Sequence, residues 1–271
     1  MGRLDPIVIV RDNPYLTEDG YDNGLKDIVK DFKNKESKIL IIDADSIIHA
    51  AVHPRREEER GEYTEDEVET IVIPKIREKL MEIQLAVSEG FNIQKIYCFV
   101  GGKGSYRKKL YPEYKANRKE KLAIIGKVYE ICKNELGFVE SDPGLEADDQ
   151  LFLIGKKFKD LAILSYIDKD LDQIGMNIPV YNYNKKYWKI VTEEEARKSL
   201  ICQMFSGDAS DNVSGLRGIG VKKAQKFYEE CTNNFSVIRK LLIEYGKQFP
   251  NAKEQIRLTY KLISLGTKYD K

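Results

Sequence analysis

Three short apolar runs constrain the fold of this chain more than any other feature. They are Lys38–Ile42 (KILII), Lys95–Val100 (KIYCFV) and Leu161–Ser165 (LAILS). None alternates apolar with polar residues, as a strand with one wet face would, so each fits a strand buried on both sides. Helical patterns lie between them. Thr64-Glu65-Asp66-Glu67 has the form of a capping box, and beyond Pro74 the residues Ile76, Leu80, Ile83 and Val87 recur at helical spacing. Leu122–Leu136 and Ala147–Phe158 are further helical candidates. Strands separated by helices predict an α/β fold, a parallel sheet with helices on both faces. From Glu193 onward the strand signal ends, and helices joined by short loops are expected. The division expected is an N-terminal extension over 1–37, an α/β core over 38–198 and a helical region over 199–271.

The ends of these runs carry carboxylates. Asp43 follows the first run in IIDADS, and Asp168 and Asp170 follow the third in SYIDKDLDQ. Glu146, Asp148 and Asp149 stand at a helix start in LEADDQ, and Asp208 and Asp211 stand in SGDASDN. In open α/β sheets, sites form at the carboxyl ends of the strands, so the first and third clusters should converge. Each cluster has an ordinary explanation. Acids at a helix start gain about 0.3–1 kcal/mol each from the dipole, and Asp is common in turns and as an N-cap. The combination asks for more, because gathered carboxylates repel one another. Hard, oxygen-loving cations such as Mg²⁺ or Mn²⁺ offset that repulsion. Two such ions can bind a scissile phosphate, generate a hydroxide and stabilise the leaving oxygen. Asp45 and Asp172 fit a helix or turn surface as readily as a site and are not counted among the candidate ligands.

Two further stretches point to a phosphate polymer. Overall charge is nearly balanced, at +1, but Gly101–Lys121 holds eight cations against two acids. There Tyr106, Tyr111 and Tyr114 are interleaved with Arg107, Lys108, Lys109, Lys115 and Arg118. Cations neutralise phosphates and aromatic rings stack on bases, so nucleic acid outweighs a merely solvated charged helix. In GLRGIGVKKAQKF, Gly218 and Gly220 precede a helix beginning near Val221, and Lys222 and Lys223 fall in its first turn. Backbone N–H groups at such a turn hold phosphate, whereas cations there oppose the helix dipole unless an anion is bound. Cys98, Cys132, Cys202 and Cys231 form no CxxC pair, which argues against a zinc site or a disulfide framework and agrees with a reducing cytosol. No signal peptide and no apolar run of membrane-spanning length is visible.

In these stretches the chain resembles the flap endonuclease / 5′-nuclease family, in particular bacteriophage 5′-exonucleases and the nuclease domains of bacterial DNA polymerase I. LIIDAD, YPEYKANR, LEADD, DKDLDQ and GDASDNVSGLRGIGVKKA occur in family order from about residue 38 to 230. The resemblance implies a PIN-like α/β nuclease core followed by a helical DNA-binding motif built on the GIG turn. It implies a divalent-metal-dependent 5′-3′ exonuclease or flap endonuclease, cutting DNA, with RNA primers a further substrate, near 5′ ends, flaps or nicks. Two or more Mg²⁺ (or Mn²⁺) ions would be held by residues matching Asp43, Glu146, Asp148, Asp149, Asp168, Asp170, Asp208 and Asp211. Tyr114, Lys115 and Arg118 would lie by the basic arch, about residues 103–128, through which the 5′ strand passes. Tyr106, Arg107, Lys108, Gly218, Gly220, Lys222 and Lys223 would contact DNA, with a K⁺ ion at the glycine turn. A monomer in the cytoplasm is expected, the host's if the protein is viral, with no membrane partner and no attached polymerase.

One departure stands out. Relatives usually carry an Asp after the second strand, where this chain reads FVGGKG and aligns Gly102. That predicts one metal held less tightly, unless the glycine serves a turn with positive φ. It also keeps open a rival reading, a DNA-binding protein of the same fold with a weakened active site.

Overall fold

The computed structural model describes residues 37–52, 63–118 and 122–267. The expected N-terminal extension, apart from Ser37, lies outside them. A six-stranded sheet runs in the order β3-β2-β1-β4-β5-β6. Its strands are β1 (Lys38–Asp43), β2 (Ile93–Val100), β3 (Val139–Glu140), β4 (Ala162–Ser165), β5 (Pro179–Asn182) and β6 (Tyr187–Ile190). All neighbours pair parallel except β5 with β6. The three apolar runs are therefore the three central strands. β1 lies between β2 and β4, and its side chains alternate between two cores. Leu40 and Ile42 join Ile76, Ile83, Ile125 and Val128 on one face, whereas Ile41 joins Leu151, Leu164 and Tyr166 on the other.

The helices covering these faces are α1 (Asp45–Val52), α2 (Ile73–Ser88), α3 (Tyr106–Leu110), α4 (Ile124–Glu135) and α5 (Ala147–Phe158). Thr64 forms the capping box expected of it, its side chain accepting from the Glu67 N–H while the Glu67 carboxylate accepts from the Thr64 N–H. The helix it opens passes through a π turn over Val68–Val72 into α2. β3, β5 and β6 are short, and the sequence pattern does not announce them. β3 has only two residues, both exposed, while β5 and β6 form a hairpin at the sheet edge around Trp188.

After β6 come α6 (Glu193–Ser206), α7 (Val221–Glu229), α8 (Asn234–Gly246) and α9 (Ala252–Ile263). They share a core of Phe205, Leu216, Ile219, Phe227, Leu241 and Tyr245. A two-residue ladder, β7 (Gly207–Asp208) with β8 (Val213–Ser214), closes the turn that carries Asp208 and Asp211. Gly207 at φ +73 is essential there, because a Cβ would lie 2.2 Å from the Gly215 nitrogen. The chain end after α9 returns to the sheet, where Leu265 packs in the same core as Ile41 and Leu151. Among the described residues no helix is long and apolar enough to cross a membrane, and all four cysteines are free thiols.

Candidate active site

The carboxyl ends of β1 and β4 open beside the N-terminus of α5 and the β7–β8 turn. Glu146, Asp148, Asp170, Asp208 and Asp211 line one cleft of about 310 Å³, open to solvent, with Tyr114 and Arg107 on the same wall. Asp43, at the end of β1, is buried next to it. Burial raises the Asp43 pKa to about 8, helped by the neighbouring charges of Asp45 and then Asp148. Burial likewise raises Asp148, with Lys115 opposing and Glu146 and Asp149 adding to the rise. Asp170 is raised by burial, then by the charges of Asp168 and Asp208. All three shifts have one leading origin, negative charge withdrawn from water and set beside other carboxylates.

Local structure fixes these groups by ordinary turn chemistry. Asp168 caps the 3₁₀ turn Lys169–Ile174 by accepting from the Asp170 N–H at 3.0 Å. Gln203 of α6 donates to Asp170 at 2.5 Å. Asp208 accepts from the backbone and hydroxyl of Ser210 at 2.9 and 2.6 Å, which shapes the β7–β8 turn. Ser46 donates to Asp43 Oδ2.

The basic segment meets this cleft through Lys115, Arg118 and Tyr114, with Arg107 behind them 3.5 Å from Glu146. Lys115 Nζ pairs with Glu146 at 2.8 Å and stands 3.5 Å from Asp211. Burial lowers the Lys115 pKa, but the charges of Glu146, Asp148 and Asp211 prevail and raise it above the usual lysine value. Lys115 holds φ at +57, unusual for a long side chain, and its N–H donates to the Asp211 carbonyl at 2.9 Å. Arg118 pairs with Asp211 at 2.5 Å. The Tyr114 hydroxyl donates to Asp211 at 2.6 Å and reaches Glu146 at 3.0 Å.

Other residues named from the sequence stand elsewhere. Arg107 and Asp149, expected on DNA and on metal, form a buried pair with contacts of 2.6 and 2.7 Å and exposures of 2% and 0%. Arg107 also donates to the carbonyls of Leu262 and Ser264, and Asp149 accepts from the N–H groups of Glu146 and Gly266. Burial works against the guanidinium charge, but Asp149 more than offsets it and holds Arg107 firmly protonated. This pair ties α3 and the start of α5 to the chain end, so both side chains are occupied inside the protein. Tyr114 is 1% exposed and Tyr106 bonds Thr267 at 2.7 Å and the Lys261 carbonyl, so neither ring is free to stack on a base as the interleaving suggested. Lys108 does point outward. Residues 119–121 of the basic segment lie outside the described residues. The glycine turn is laid out at the surface: Gly218 has φ +75, Gly220 caps α7, and Lys222 and Lys223 are exposed in its first turn.

Gly102 is constrained by space. Its φ is not positive (Gly104, at φ +76, serves the turn), but a Cβ there would meet the Ser141 carbonyl oxygen at 2.7 Å. The neighbouring space is filled by Asp45, which the sequence reading set aside. A Cβ on Gly101 would come 3.0 Å from Asp45 Oδ2, and the Gly101 N–H donates to Asp45 Oδ1 at 3.0 Å.

The donor set is all oxygen and suits a hard divalent cation. Among the described residues Asp43, Asp45, Asp148, Asp168, Asp170 and Asp208 make no ion pair. The buried Tyr183 hydroxyl, which feels Asp43 and Asp45, interacts with Ser46 but makes no well-aligned hydrogen bond. Carboxylates gathered at the strand ends with no ion pair of their own fit a hard divalent cation. No three His, Cys, Asp or Glu side chains among the described residues are yet drawn together tightly enough to enclose an ion.

A fold of this topology with an acidic cleft at the carboxyl ends of its strands, flanked by cations, is that of a PIN-like nuclease. No protein-family profile matches the chain. A 5′-3′ exonuclease of Buchnera aphidicola subsp. Acyrthosiphon pisum is 32% identical over 199 residues, spanning 63% of this chain and 68% of its own. The flap endonuclease Xni of Shewanella woodyi is 29% identical over 183 residues, spanning 62% of this chain and 73% of its own. The T5 D15 protein, crystallised with metal ions, superposes with a TM-score of 0.61 at 19% identity, over 85% of this chain and 90% of its own. The catalytic core of Rad2, solved with a DNA substrate, gives 0.51 at 17% identity, over 86% and 74%. The chain belongs to the 5′-3′ exonuclease / flap endonuclease family and is a nuclease.

Proposed function

We propose that this nuclease hydrolyses DNA phosphodiesters near 5′ ends, flaps or nicks with the help of divalent cations held in the acidic cleft. The observation that carries this reading is the convergence of Glu146, Asp148, Asp170, Asp208 and Asp211 on one cleft beside Asp43, with Lys115 at its wall. Asp43, Glu146, Asp148, Asp170, Asp208 and Asp211, with Asp168 next to them, would hold two or more Mg²⁺ or Mn²⁺ ions. Such ions supply a hydroxide at neutral pH and Lewis acidity at the phosphate. The reaction adds water across one P–O bond, leaving a phosphate on one fragment and a hydroxyl on the other.

The rest falls to the protein's own groups. Lys115 and Arg118 carry fixed positive charge beside Glu146 and Asp211 and can transfer it to an incoming phosphate, where it favours the charge that develops in the transition state. Tyr114, donating to Asp211 and within reach of Glu146, orients both carboxylates. Lys108 and the exposed stretch to Arg118 would guide the 5′ strand. The glycine turn would grip duplex DNA through the free N–H groups of α7, Lys222 and Lys223, with K⁺ at the turn. In this division the sheet and its loops cut, and the helices after α6 hold the duplex. The protein would act as a cytoplasmic monomer.

A specific observation supports a second reading. The Gly101–Gly102 loop adds no carboxylate after β2, which suits a DNA-binding protein with a weakened site. One assay separates the two. A 5′-labelled flap, a nicked duplex and a single strand are each incubated with Mg²⁺ or with EDTA. Cleavage that is strongest on the flap or nick and abolished by EDTA supports the nuclease reading. Tight binding without cleavage at any Mg²⁺ level overturns it in favour of the second.

A further inference from the structure

Asp45 is the one carboxylate at the mouth of β1 and β2 to which the proposed function gives no role. It opens α1, two residues beyond Asp43, and both are without an ion pair among the described residues. Asp45 Oδ1 is held from two directions, by the Gly101 N–H at 3.0 Å and the Tyr129 hydroxyl at 2.8 Å. Oδ2 accepts no hydrogen bond among the described residues and lies over Gly101, where any side chain would crowd it. The two donors fix the carboxylate in one orientation across the ends of adjacent strands, leaving one oxygen uncommitted. The Tyr183 hydroxyl, 5% exposed, lies in the field of Asp43 and Asp45, interacts with Ser46 and makes no well-aligned hydrogen bond.

An acid at a helix start needs no explanation by itself. Two features here exceed that role. Placing a second carboxylate against buried Asp43 costs free energy unless a cation is shared between them. The Tyr183 hydroxyl, without a well-aligned hydrogen bond, marks a position where a water or ion ligand belongs. We propose that Asp45 is a further carboxylate of the metal centre, reaching the ion on the Asp43 side through Oδ2 or through a water it shares with Tyr183. Gly101 then serves to admit the Asp45 carboxylate, whose charge comes from the β1–α1 turn instead of from β2.

This inference rests on the metal reading of the cleft, and the experiment separates the two. Mn²⁺ binding to the full chain, without DNA, is followed by the electron paramagnetic resonance signal of free Mn²⁺. Wild type, Asp43→Asn, Asp45→Asn and Asp45→Ser are compared, with metal-free melting curves to establish folding. Asn keeps the acceptor for Gly101 and Tyr129, and Ser is well suited to a helix start, so at least one Asp45 variant is expected to fold. Removing a supporting ligand commonly costs about 10–100-fold in metal affinity, so a rise of about 10-fold or more in the Mn²⁺ midpoint is expected. If Asp43→Asn loses Mn²⁺ while a folded Asp45 variant keeps the wild-type midpoint, the inference about Asp45 fails and the metal site stands. If wild type itself binds no Mn²⁺, both fail.

Discussion

Arg107 and Asp149 offer the sharpest test, because sequence and structure assign them opposite roles. Arg107 makes two bonds of 2.6 and 2.7 Å to Asp149 and donates to two further carbonyls, all away from water. Arg107→Met would leave Asp149 a buried anion supported only by the N–H groups of Glu146 and Gly266, and would remove the guanidinium donors from the Leu262 and Ser264 carbonyls. Removing one partner of a buried pair costs about 3–5 kcal/mol. At about 2–4 °C per kcal/mol for a chain of this size, the melting temperature should fall by about 6–20 °C. Asp149→Asn keeps the shape and one acceptor oxygen, so its loss should sit at the low end of that range. The double variant Arg107→Met/Asp149→Leu leaves no buried charge unpaired and should recover much of the stability. Calorimetry and urea unfolding measure all three, alongside Mn²⁺ binding of the folded protein. An Asp149→Asn variant that melts like wild type but loses Mn²⁺ would refute the structural role and return Asp149 to the metal ligands. An Arg107→Met variant of unchanged stability with weakened DNA affinity would refute it for Arg107.

Four other outcomes are expected. Asp170→Asn should lower Mg²⁺-dependent cleavage by at least ~100-fold, equivalent to about 2.7 kcal/mol of barrier, with DNA affinity largely kept; normal cleavage would misplace the site. Lys115→Ala should slow single-turnover cleavage more than it weakens duplex binding, and the reverse pattern would reduce Lys115 to part of a general basic surface. Gly220→Val should fold, since a Cβ there meets nothing within 4 Å, yet weaken duplex binding more than single-strand binding by blocking backbone approach to phosphate; equal losses on both substrates would count against a duplex grip. Gly102→Asp should lower stability by about 1–3 kcal/mol through overpacking against Ser141 without lowering the Mg²⁺ midpoint, and a stable variant with a lower midpoint would revive the idea of a lost ligand there.

The central fold was legible because its signals are local. β1, β4 and the end of β2 from Cys98 are runs buried on both sides, whereas the start of β2 is exposed at Gln94 and Lys95. α5 matches the predicted Ala147–Phe158, with acids at its start and lysines at its end. The edge was not legible. β3 is two exposed residues defined by pairing with Phe99 and Val100, and β5–β6 owes its place to Trp188 packing between Phe91 and Tyr181. Such elements exist through tertiary contacts, which a window of sequence does not contain.

The site was legible as a set of clusters but not as individual roles, and LEADDQ shows why. Glu146 is the extended N-cap of α5, whereas Asp148 and Asp149 are successive helical residues that point about 100° apart, so Asp148 reaches the cleft beside Glu146 while Asp149 turns inward, onto Arg107. Spacing alone could have raised that suspicion, since three acids in four residues cannot all share one face of a helix. The partner could not be foreseen, because Arg107 lies forty-two positions away in a stretch whose charge suggested DNA. The same stretch divides again at YPEYK, where Tyr114 turns inward to two carboxylates while Lys115 takes φ +57 and reaches the cleft. Asp45 is the converse case. As an acid at a helix start it gave no reason for notice, and only the closeness of Gly101, Tyr129 and Tyr183 in three dimensions distinguishes it from capping chemistry. Charge type and order along the chain thus located the cleft, while the choice between ligand and structural ion pair depended on which acids found a buried cation.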